Sequence, residues 1–401
     1  MKVFYFCEMS FHPAWDKGQY IRNELPSAHY DPVVGSELYN RFLDEYALCD
    51  ELGLNIMVNE HHSTATCLNV ACAIPLSILA RQTKKARLLA LGMPIANRLE
   101  PMRVAEELAL IDVISKGRLE MGLVKGSPYE VFPANSNPVG MMDRFWEAHD
   151  LILKAMTTHT GPFNWEGTHF HYRNINLWPR PYQQPHPPVW ITASSPDTAR
   201  TIGQKGYVLA TLNTGYARTR PLFDAYRAAA SAAGKSTADD RFGYLALVAV
   251  GKSKKEGFDR ADKIVDYIRN SGRVAPQFLN PPGYASRDSN VRALKASGRA
   301  HTPDNAVTSR TGEKITKDAF TVEALIDAGV LFAGDSDMVY SQIRDFYGYA
   351  GGLGNLLMMA QGGWLDHADT VENLTLFSKE VLPRLTELKI DDIAQPRARA
   401  S

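Results

Sequence analysis

A segment near residue 120 joins a helix end, a strand and a strand-terminal cation, and it constrains the fold more than any other part of the chain. The apolar residues of Arg103 to Ser115 follow the period of one helix face, and the pair Lys116-Gly117 is a typical helix stop. Leu119 to Val124 then alternates with period two, as in a strand, and Lys125 follows it. In a β/α barrel that position is the catalytic rim.

Strand and helix patterns alternate through most of the sequence, which predicts a parallel sheet closed by helices. A chain of 401 residues is long enough for a (β/α)8 TIM barrel with insertions, since the bare barrel needs about 250. We therefore predict one barrel domain over residues 1–389 and a polar tail over 390–401. The predicted strands are Val3 to Glu8, Asn55 to Asn59, Arg87 to Gly92, Leu119 to Val124, Val189 to Ala193, Tyr207 to Thr211, Phe242 to Val250 and Asn355 to Gln361. The clearest predicted helices are Ser36 to Leu52, Arg103 to Ser115, Asp143 to Met156 and Pro221 to Ala233.

Three stretches interrupt this order and are predicted to be insertions. Residues 10–35, which follow the first strand, are rich in histidine, proline and aromatic residues. Residues 161–188 are rich in proline and predict a hairpin with an extended connection. Residues 271–320 are dense in glycine, proline and polar residues, and a loop of this length is usually a functional lid or disordered. We predict that this third insertion covers the mouth of the barrel.

The composition predicts a globular protein whose partner is a small molecule. Hydrophobic residues make up 45% of the chain and charged residues 22%. The 44 basic residues equal the 44 acidic residues, so no global field attracts nucleic acid or anionic lipid. The N-terminus lacks the pattern of a signal peptide, and no apolar run reaches about 18 residues. We therefore expect a cytoplasmic protein that binds neither nucleic acid nor a membrane.

The spacing of cysteines and histidines predicts neither disulfides nor a metal site. The cysteines have no CxxC spacing and are expected to be buried thiols. His169 and His171 flank an aromatic residue in the predicted hairpin, and no cluster of further ligands accompanies them. The cysteines are Cys7, Cys49, Cys67 and Cys72.

Two motifs resemble those of a known family. The first is Ser115 to Arg118 followed by a strand and Lys125-Gly126, and the second is Glu60-His61-His62 after the second predicted strand. Together they resemble the bacterial luciferase-like, flavin-dependent monooxygenases, and the resemblance extends from about Met1 to Leu388 in matching order. It implies a luciferase-like barrel and a homodimer that works with FMNH2, O2 and a small organic substrate.

The resemblance also implies the reaction and its partners. Such proteins act as two-component monooxygenases that receive FMNH2 from a separate NAD(P)H-dependent flavin reductase. Reduced flavin reacts with O2 at its C4a carbon to give a peroxide whose reactivity depends on the protonation of its terminal oxygen. The first histidine of the family motif acts beside the flavin and corresponds to His61, and an imidazole with a pKa of about 6.5 transfers protons near neutral pH. Glu60 belongs to the same motif, and His62 either orients His61 or packs beside it.

The segment around residue 194 carries the groups that bind a phosphate. A predicted strand delivers Ser194 and Ser195 to the rim, and Pro196 suits the first turn of the helix that follows. An ordinary N-cap is the alternative explanation of Ser195. Luciferase-like proteins hold the FMN phosphate at this turn with a basic residue, which is arginine in luciferase and lysine here, so a bidentate clamp becomes a point charge. The resemblance therefore assigns FMN binding to Ala193, Ser194, Ser195, Thr198 and Lys125.

Further rim residues are assigned to the flavin ring and to the substrate. The third predicted strand ends in Leu91-Gly92-Met93, where family members often make a bulge or a non-prolyl cis peptide against the flavin. Gly92 and Met93 are the matching positions, and a turn that needs a glycine is the alternative. Candidate residues of the substrate pocket follow the first and fourth strands, and they are Met9, His12, Trp15 and Tyr129. The sequence does not identify the substrate.

Two other functions are compatible with the same barrel. A deazaflavin (F420)-dependent oxidoreductase would transfer a hydride, and Glu60-His61-His62 argues against it through the resemblance. A non-catalytic flavin-binding protein is the second alternative, and the rim histidines and eight predicted strands favour an enzyme. No Gly-x-Gly-x-x-Gly motif opens a helix after a strand, so we expect the flavin to be reduced elsewhere.

Overall fold

Eight parallel strands form a closed ring in the computed structural model, which describes residues 1–15, 22–271, 273–285, 287, 290, 291, 294, 295 and 306–390. The strands are β1 (Lys2–Cys7), β2 (Asn55–Val58), β3 (Leu88–Pro94), β4 (Leu119–Val124), β5 (Val189–Thr192), β6 (Val208–Leu212), β7 (Phe242–Val250) and β8 (Asn355–Gln361). Each strand pairs with the next, and β8 returns to β1. All eight predicted strands are confirmed to within two residues at each end. Apart from Ile390, the predicted tail lies outside the described residues.

Alternate side chains of the strands point into the barrel and outward to the helices, as a period of two requires. Phe4 and Trp190 pack inside, with ring centroids 5.6 Å apart. Tyr5 lies on the outer face of β1 and packs against Tyr46, with ring centroids 5.0 Å apart. Side chains fill the interior of the barrel, so a ligand site is expected at the carboxyl ends of the strands.

An acidic side chain is buried inside the barrel. Glu120 of β4 accepts hydrogen bonds from the indole nitrogen of Trp190 and from Nε of Arg87. Because Arg87 supplies the opposite charge and Trp190 a further donor, the buried carboxylate is satisfied. This cluster ties β3, β4 and β5 together through side chains.

The helices surround the ring, and all four of the predicted helices begin two to six residues earlier than predicted. They are α1 (Pro32–Glu51), α2 (Ala73–Gln82), α3 (Pro101–Ser115), α4 (Met141–Thr157), α5 (Pro196–Lys205), α6 (Gly215–Ala232), α7 (Lys254–Ser271), α8 (Pro276–Leu279), α9 (Val322–Asp327), α10 (Ser336–Ala350), α11 (His367–Leu376) and α12 (Leu382–Glu387). Asp31 caps α1 by accepting from the backbone of Val33 at 2.8 Å, so the helix starts before Ser36 and the first insertion is shorter than predicted. Pro221, the predicted start of α6, lies inside that helix.

A further parallel strand, Leu331–Gly334, was not predicted. It pairs with Leu247–Val250, the second half of β7, beyond most of the residues that pair with β6 and β8. Because β7 is nine residues long, the backbone groups of its second half need another hydrogen-bonding partner. The new strand is buried on both faces and therefore shows no alternation in the sequence.

The second predicted insertion contains the expected hairpin, in which Phe163–Glu166 pairs antiparallel with His171–Ile175. The third is described in part. It contains α8 and a short hairpin of Val307–Thr308 with Lys314–Ile315, so it is more structured than its composition suggests. The lid function assigned to it stays a prediction.

The four cysteines are free and buried, as predicted. Burial raises the pKa of each of these thiols. Within the described residues, no helix combines the length and the apolar character needed to cross a membrane. In the same residues, no group of three or more histidine, cysteine or acidic side chains is arranged to hold a metal ion.

Candidate active site

His61 follows β2 at the mouth of the barrel, where two acidic side chains approach its ring. Nδ1 lies 2.8 Å from Oε1 of Glu130, and Nε2 lies 4.0 Å from Oε2 of Glu8. The imidazole keeps 19% of its surface exposed. It is therefore fixed on one side and accessible to a ligand.

Glu130 is held by the turn Pro128–Glu130, which follows β4. Its carboxylate accepts from the backbone of His62 at 2.9 Å and from the backbone of Ser127 at 3.3 Å, and with Ser127 it forms a capping box. Burial raises the pKa of Glu130, but the charge and hydrogen bond of His61 outweigh it and lower the pKa to about 2. Glu130 is thus a carboxylate at neutral pH.

This carboxylate determines the tautomer of His61. An ionised carboxyl group only accepts hydrogen bonds, so Nδ1 of His61 must be the donor to Glu130. In the neutral ring, Nε2 then carries the lone pair. His61 can accept a proton at Nε2, and Glu130 stabilises the cation that results.

The other two residues of the motif pair with each other. Glu60 is buried, accepts from Arg98 Nη2 and from the backbone of Cys72, both at 2.9 Å, and lies 3.5 Å from Nε2 of His62. Burial raises the pKa of Glu60, but the hydrogen bond of His62 and the charge of Arg98 lower it overall. The hydrogen bond to Glu60 raises the pKa of His62. In this structure Glu60 and His62 brace the loop, whereas His61 faces the mouth.

Tyr129 links His61 to a buried arginine. Its hydroxyl lies 3.5 Å from Nδ1 of His61, and the guanidinium carbon of Arg22 lies 4.3 Å from the centre of its ring. Nη1 of Arg22 donates to the carbonyl of Ser271 at the end of α7, at 3.3 Å. The loop after β1 and the end of α7 therefore meet beside the histidine.

Three charged residues of this cluster were not predicted to belong to the site. Glu8 was assigned to the end of a strand, and Arg22 lies in an insertion without a recognisable pattern. Only Glu130 had a signal, because Ser127-Pro128-Tyr129-Glu130 fits a capping box. That pattern indicates a capped turn and does not reveal a contact with His61.

The predicted substrate residues after β1 lie in two environments. Met9 is buried with a positive φ of 49°, and its backbone donates to Sγ of Cys7 at 3.2 Å. The ring of His12 packs on Trp364 with centroids 4.8 Å apart, and Trp15 lies 6.1 Å from the same indole. The structure thus brings His12 and Trp15 into one aromatic group with Trp364.

The end of β3 has the predicted irregular backbone. The Leu91–Gly92 peptide is cis, and the pairing with β4 shifts register between Leu91 and Met93. A Cβ added to Gly122 of β4 would lie 2.4 Å from the carbonyl oxygen of Ala90, so the two strands approach closely here. The side chain of Met93 is buried in the outer core.

Ser195 caps α5, and its predicted role in phosphate binding stays a prediction. Its Oγ accepts from the backbone of Thr198 at 3.3 Å and lies 3.0 Å from the Thr198 hydroxyl. Arg218 donates to the carbonyl of Ser194 at 2.9 Å, and Ala193 is buried just before it. The helix still directs its positive end toward the rim.

Lys125 is engaged by Tyr284 of the third insertion. Its Nζ lies 3.4 Å from the centre of the Tyr284 ring and 3.3 Å from the Tyr284 carbonyl oxygen. The Tyr284 hydroxyl donates to the carbonyl of Gly126 at 2.8 Å. Burial lowers the pKa of Lys125 to about 8. Lys125 follows β4 next to the β5 end that carries Ser194, and its amine is turned toward Tyr284.

Asn97 is a buried amide beside this lysine. It is 5% exposed, and neither its Nδ2 nor its Oδ1 has a hydrogen-bond partner among the described residues. A Cβ added to Gly126 would lie 2.5 Å from Nδ2, which places the amide against the Lys125-Gly126 turn. Buried amides are normally paired, so a ligand or a water molecule is expected to form hydrogen bonds with the Asn97 amide.

Comparison with known proteins identifies the family. A sequence model of luciferase-like monooxygenases matches residues 3–353. The chain belongs to this family. One relative, the oxygenase component of flavin-dependent trigonelline monooxygenase from Acinetobacter baylyi, is 28% identical over 184 residues, or 44% of this chain and 49% of the relative. This luciferase-like protein therefore spans about half the length of that relative.

Solved structures support the luciferase-like fold. The oxygenating constituent of 3,6-diketocamphane monooxygenase from Pseudomonas putida, in complex with FMN, has a TM-score of 0.69 at 18% identity, with 96% of this chain and 98% of that chain covered. A deazaflavin (F420)-dependent secondary alcohol dehydrogenase has a TM-score of 0.65 at 15% identity, with 95% and 99% covered. These similarities establish the fold, and the fold alone does not select the cofactor.

Proposed function

We propose that this luciferase-like protein is the oxygenase component of a two-component monooxygenase. It would take reduced FMN from a separate NAD(P)H-dependent reductase and use O2 to oxygenate a small organic molecule. The observation that carries the proposal is His61 at the barrel mouth, oriented by Glu130 and accessible to a ligand. The trigonelline monooxygenase relative supports a flavin-dependent oxygenation. A cytoplasmic homodimer is a further expectation.

Two sets of residues would hold FMN. The positive end of α5, with Ser194, Ser195 and Thr198, and the amine of Lys125 suit the phosphate. The unpaired amide of Asn97 offers a donor and an acceptor, which match phosphate oxygens and the hydroxyl groups of the ribityl chain. The donor set at this rim therefore fits FMN. The backbone at Gly92 and Met93 is proposed to face the flavin ring.

The residues around His61 would control protons. Bound reduced FMN supplies the electrons that activate O2. Nε2 of His61 then takes up or delivers a proton at the reacting oxygen, while Glu130 keeps Nδ1 protonated and stabilises the cation. Oε2 of Glu8 lies 4.0 Å from Nε2, on the side of the ring opposite Glu130.

Tyr284 would couple binding to shielding of the site. Its contacts with Lys125 and Gly126 close the rim between β4 and the third insertion. A phosphate at Lys125 competes with the Tyr284 ring for the same amine, so this contact must rearrange when FMN binds. Exclusion of water after the rearrangement would limit loss of oxidising equivalents as hydrogen peroxide.

The proposal is tested by mixing the protein anaerobically with photoreduced FMN and then with O2. We expect bound FMNH2 to be reoxidised with a time course that differs from that of free FMNH2, and His61→Ala to change it. The same experiment is carried out in parallel with reduced deazaflavin in place of FMNH2. Hydride transfer from deazaflavin without binding of FMNH2 would replace the proposal by the alternative oxidoreductase, and flavin binding without altered oxygen reactivity would indicate a non-catalytic protein.

A further inference from the structure

Four buried hydrogen-bond donor atoms in the loops after β1 and β8 have no acceptor among the described residues. They are Nε and Nη2 of Arg22 and the indole nitrogens of Trp15 and Trp364. Arg22 is 6% exposed and Trp15 is 3% exposed. Buried polar groups are nearly always paired, and leaving one unpaired is unfavourable. A concentration of donors without acceptors therefore points to a ligand that brings the acceptors.

Arg22 and Trp15 contact one face of α7, and Trp364 packs on Trp15. Nη1 of Arg22 donates to the carbonyl of Ser271, and Tyr267 is one helical turn earlier on the same face. Trp15 packs on Tyr267 with ring centroids 5.8 Å apart and on Trp364 with centroids 6.1 Å apart. The arginine and the two indoles thus border a common region.

The free atoms of Arg22 define the chemistry of the ligand. Nη1 is occupied, and Nε with Nη2 forms the guanidinium edge whose two parallel N–H groups match a carboxylate. The nearby carboxylates have other partners. Glu130 binds His61 and two backbone N–H groups, and Glu8 accepts from Asn59 at 2.9 Å. No ion pair joins Arg22 to either of them within the described part of the chain.

The surrounding side chains define the body of the ligand. Partly exposed rings of His12, Tyr129 and Trp364 border the donors, and aromatic groups pack on such rings. Tyr129 contacts both Arg22 and His61, and its ring centroid is 6.1 Å from that of His61. A carboxylate on Arg22 would therefore place an attached ring beside His61.

We propose that Arg22 binds the carboxylate of an aromatic acid and that this acid is the substrate of the barrel. Trp15 and Trp364 donate further hydrogen bonds to the same ligand. The substrate assignment rests on the function proposed above, whereas the anion site itself does not.

The test measures the binding of benzoate and nicotinate by calorimetry. Benzamide and nicotinamide, which have the same rings without the charge, are the controls. We expect the acids to bind and the amides to bind much more weakly. Arg22→Met should weaken binding of the acids about ten- to a hundred-fold, which is typical of a lost charge-assisted pair. Arg22→Lys, which keeps the charge but not the paired edge, should also weaken it. Arg180→Met, at an exposed arginine, is the control and should bind as the parent does.

Three further readouts separate the explanations. Circular dichroism establishes that the variants fold. FMN titration should give the same affinity for Arg22→Met and the parent, and an equal loss for FMN and benzoate would overturn the proposal by assigning Arg22 to the cofactor. Acids that fail to bind, or that bind equally to Arg22→Met, also overturn it. Arg22-dependent binding of benzoate in a protein that does not react FMNH2 with O2 would support the anion site and reject the proposed monooxygenase.

Discussion

Oε1 of Glu130 accepts hydrogen bonds from both the ring of His61 and the backbone of the residue after it, at 2.8 Å and 2.9 Å. The two side chains are 69 positions apart in the chain. One carboxylate thus fixes the tautomer of the imidazole and the course of the loop that carries it. The orientation of the candidate catalytic group is set by the turn after β4 as much as by β2.

His61→Ala should retain FMN binding and lose product formation by about 100-fold or more, because a positioned acid or base is removed. The measurement is product formed per FMNH2 supplied, together with an FMN titration. His159→Ala, at an exposed histidine, is the matched control. A variant of His61 that turns over at the parental rate with full coupling of oxygen to product would show that the assigned role is wrong.

Glu130→Gln should change the stability of the protein in acid. The pKa of Glu130 is lowered in the fold from 4.5 to about 2, so the carboxylate stabilises the fold above pH 4.5 and this contribution is lost as the pH falls toward 2. Glutamine lacks the contribution at every pH. Urea unfolding at pH 7, 4.5 and 3 should show a large difference between parent and variant at pH 7 that narrows at pH 3, and a constant difference would contradict the prediction.

Lys125→Ala should weaken the binding of FMN about ten- to a hundred-fold. The affinity for riboflavin, which has no phosphate, should be nearly unchanged. Because burial lowers the pKa of Lys125 to about 8, the preference of the parent for FMN over riboflavin should decline as the pH rises through 8. Lys125→Arg keeps its charge and should bind FMN equally at pH 7 and pH 9. Fluorescence titration checks each variant, and equal weakening of both flavins by Lys125→Ala would place the phosphate elsewhere.

Tyr284→Ala should raise the hydrogen peroxide released per FMNH2 oxidised, because it removes an aromatic ring that shields the rim and the hydroxyl group that donates to Gly126. The fold should be retained, since Tyr284 packs at the edge of the core. Peroxide and product are measured in the same reaction. Tyr182→Ala, at an exposed tyrosine, controls for loss of an aromatic ring, and unchanged coupling in Tyr284→Ala would remove the shielding role.

Glu120→Ala should destabilise the protein by about 3 kcal/mol, because it leaves Arg87 and the indole nitrogen of Trp190 without their buried partner. The free energy of unfolding from urea titration measures the effect. Glu166→Ala, at an exposed glutamate, should change it by less than about 0.5 kcal/mol. Similar values for the two variants would show that the interior ion pair contributes little.

Much of the fold could be predicted because the strands are local patterns. β7 was predicted at its observed bounds, since a nine-residue apolar run between polar turns allows few alternatives. Leu331–Gly334 was missed because a short strand buried on both faces has no period of its own. The start of α1 was missed because Pro-Val-Val-Gly is a poor helix sequence, and the cap at Asp31 overrides that preference.

The site was predictable where it depends on a motif. Glu60-His61-His62 and the rim position of Lys125 follow from the order of residues along the chain. The contacts of Glu130 with His61 and of Tyr284 with Lys125 join distant segments, and sequence spacing carries no information about them. The unpaired donors of Arg22 are visible only after packing has buried the side chain.

The burial of all four cysteines has a practical consequence for work on this protein. Thiol reagents have no exposed native target, so a cysteine introduced at an exposed position becomes a unique labelling site in an otherwise unaltered chain. Glu313→Cys, between the strands of the short hairpin in the third insertion, is such a position. A fluorophore there would report in real time whether that insertion moves when FMN arrives at the rim.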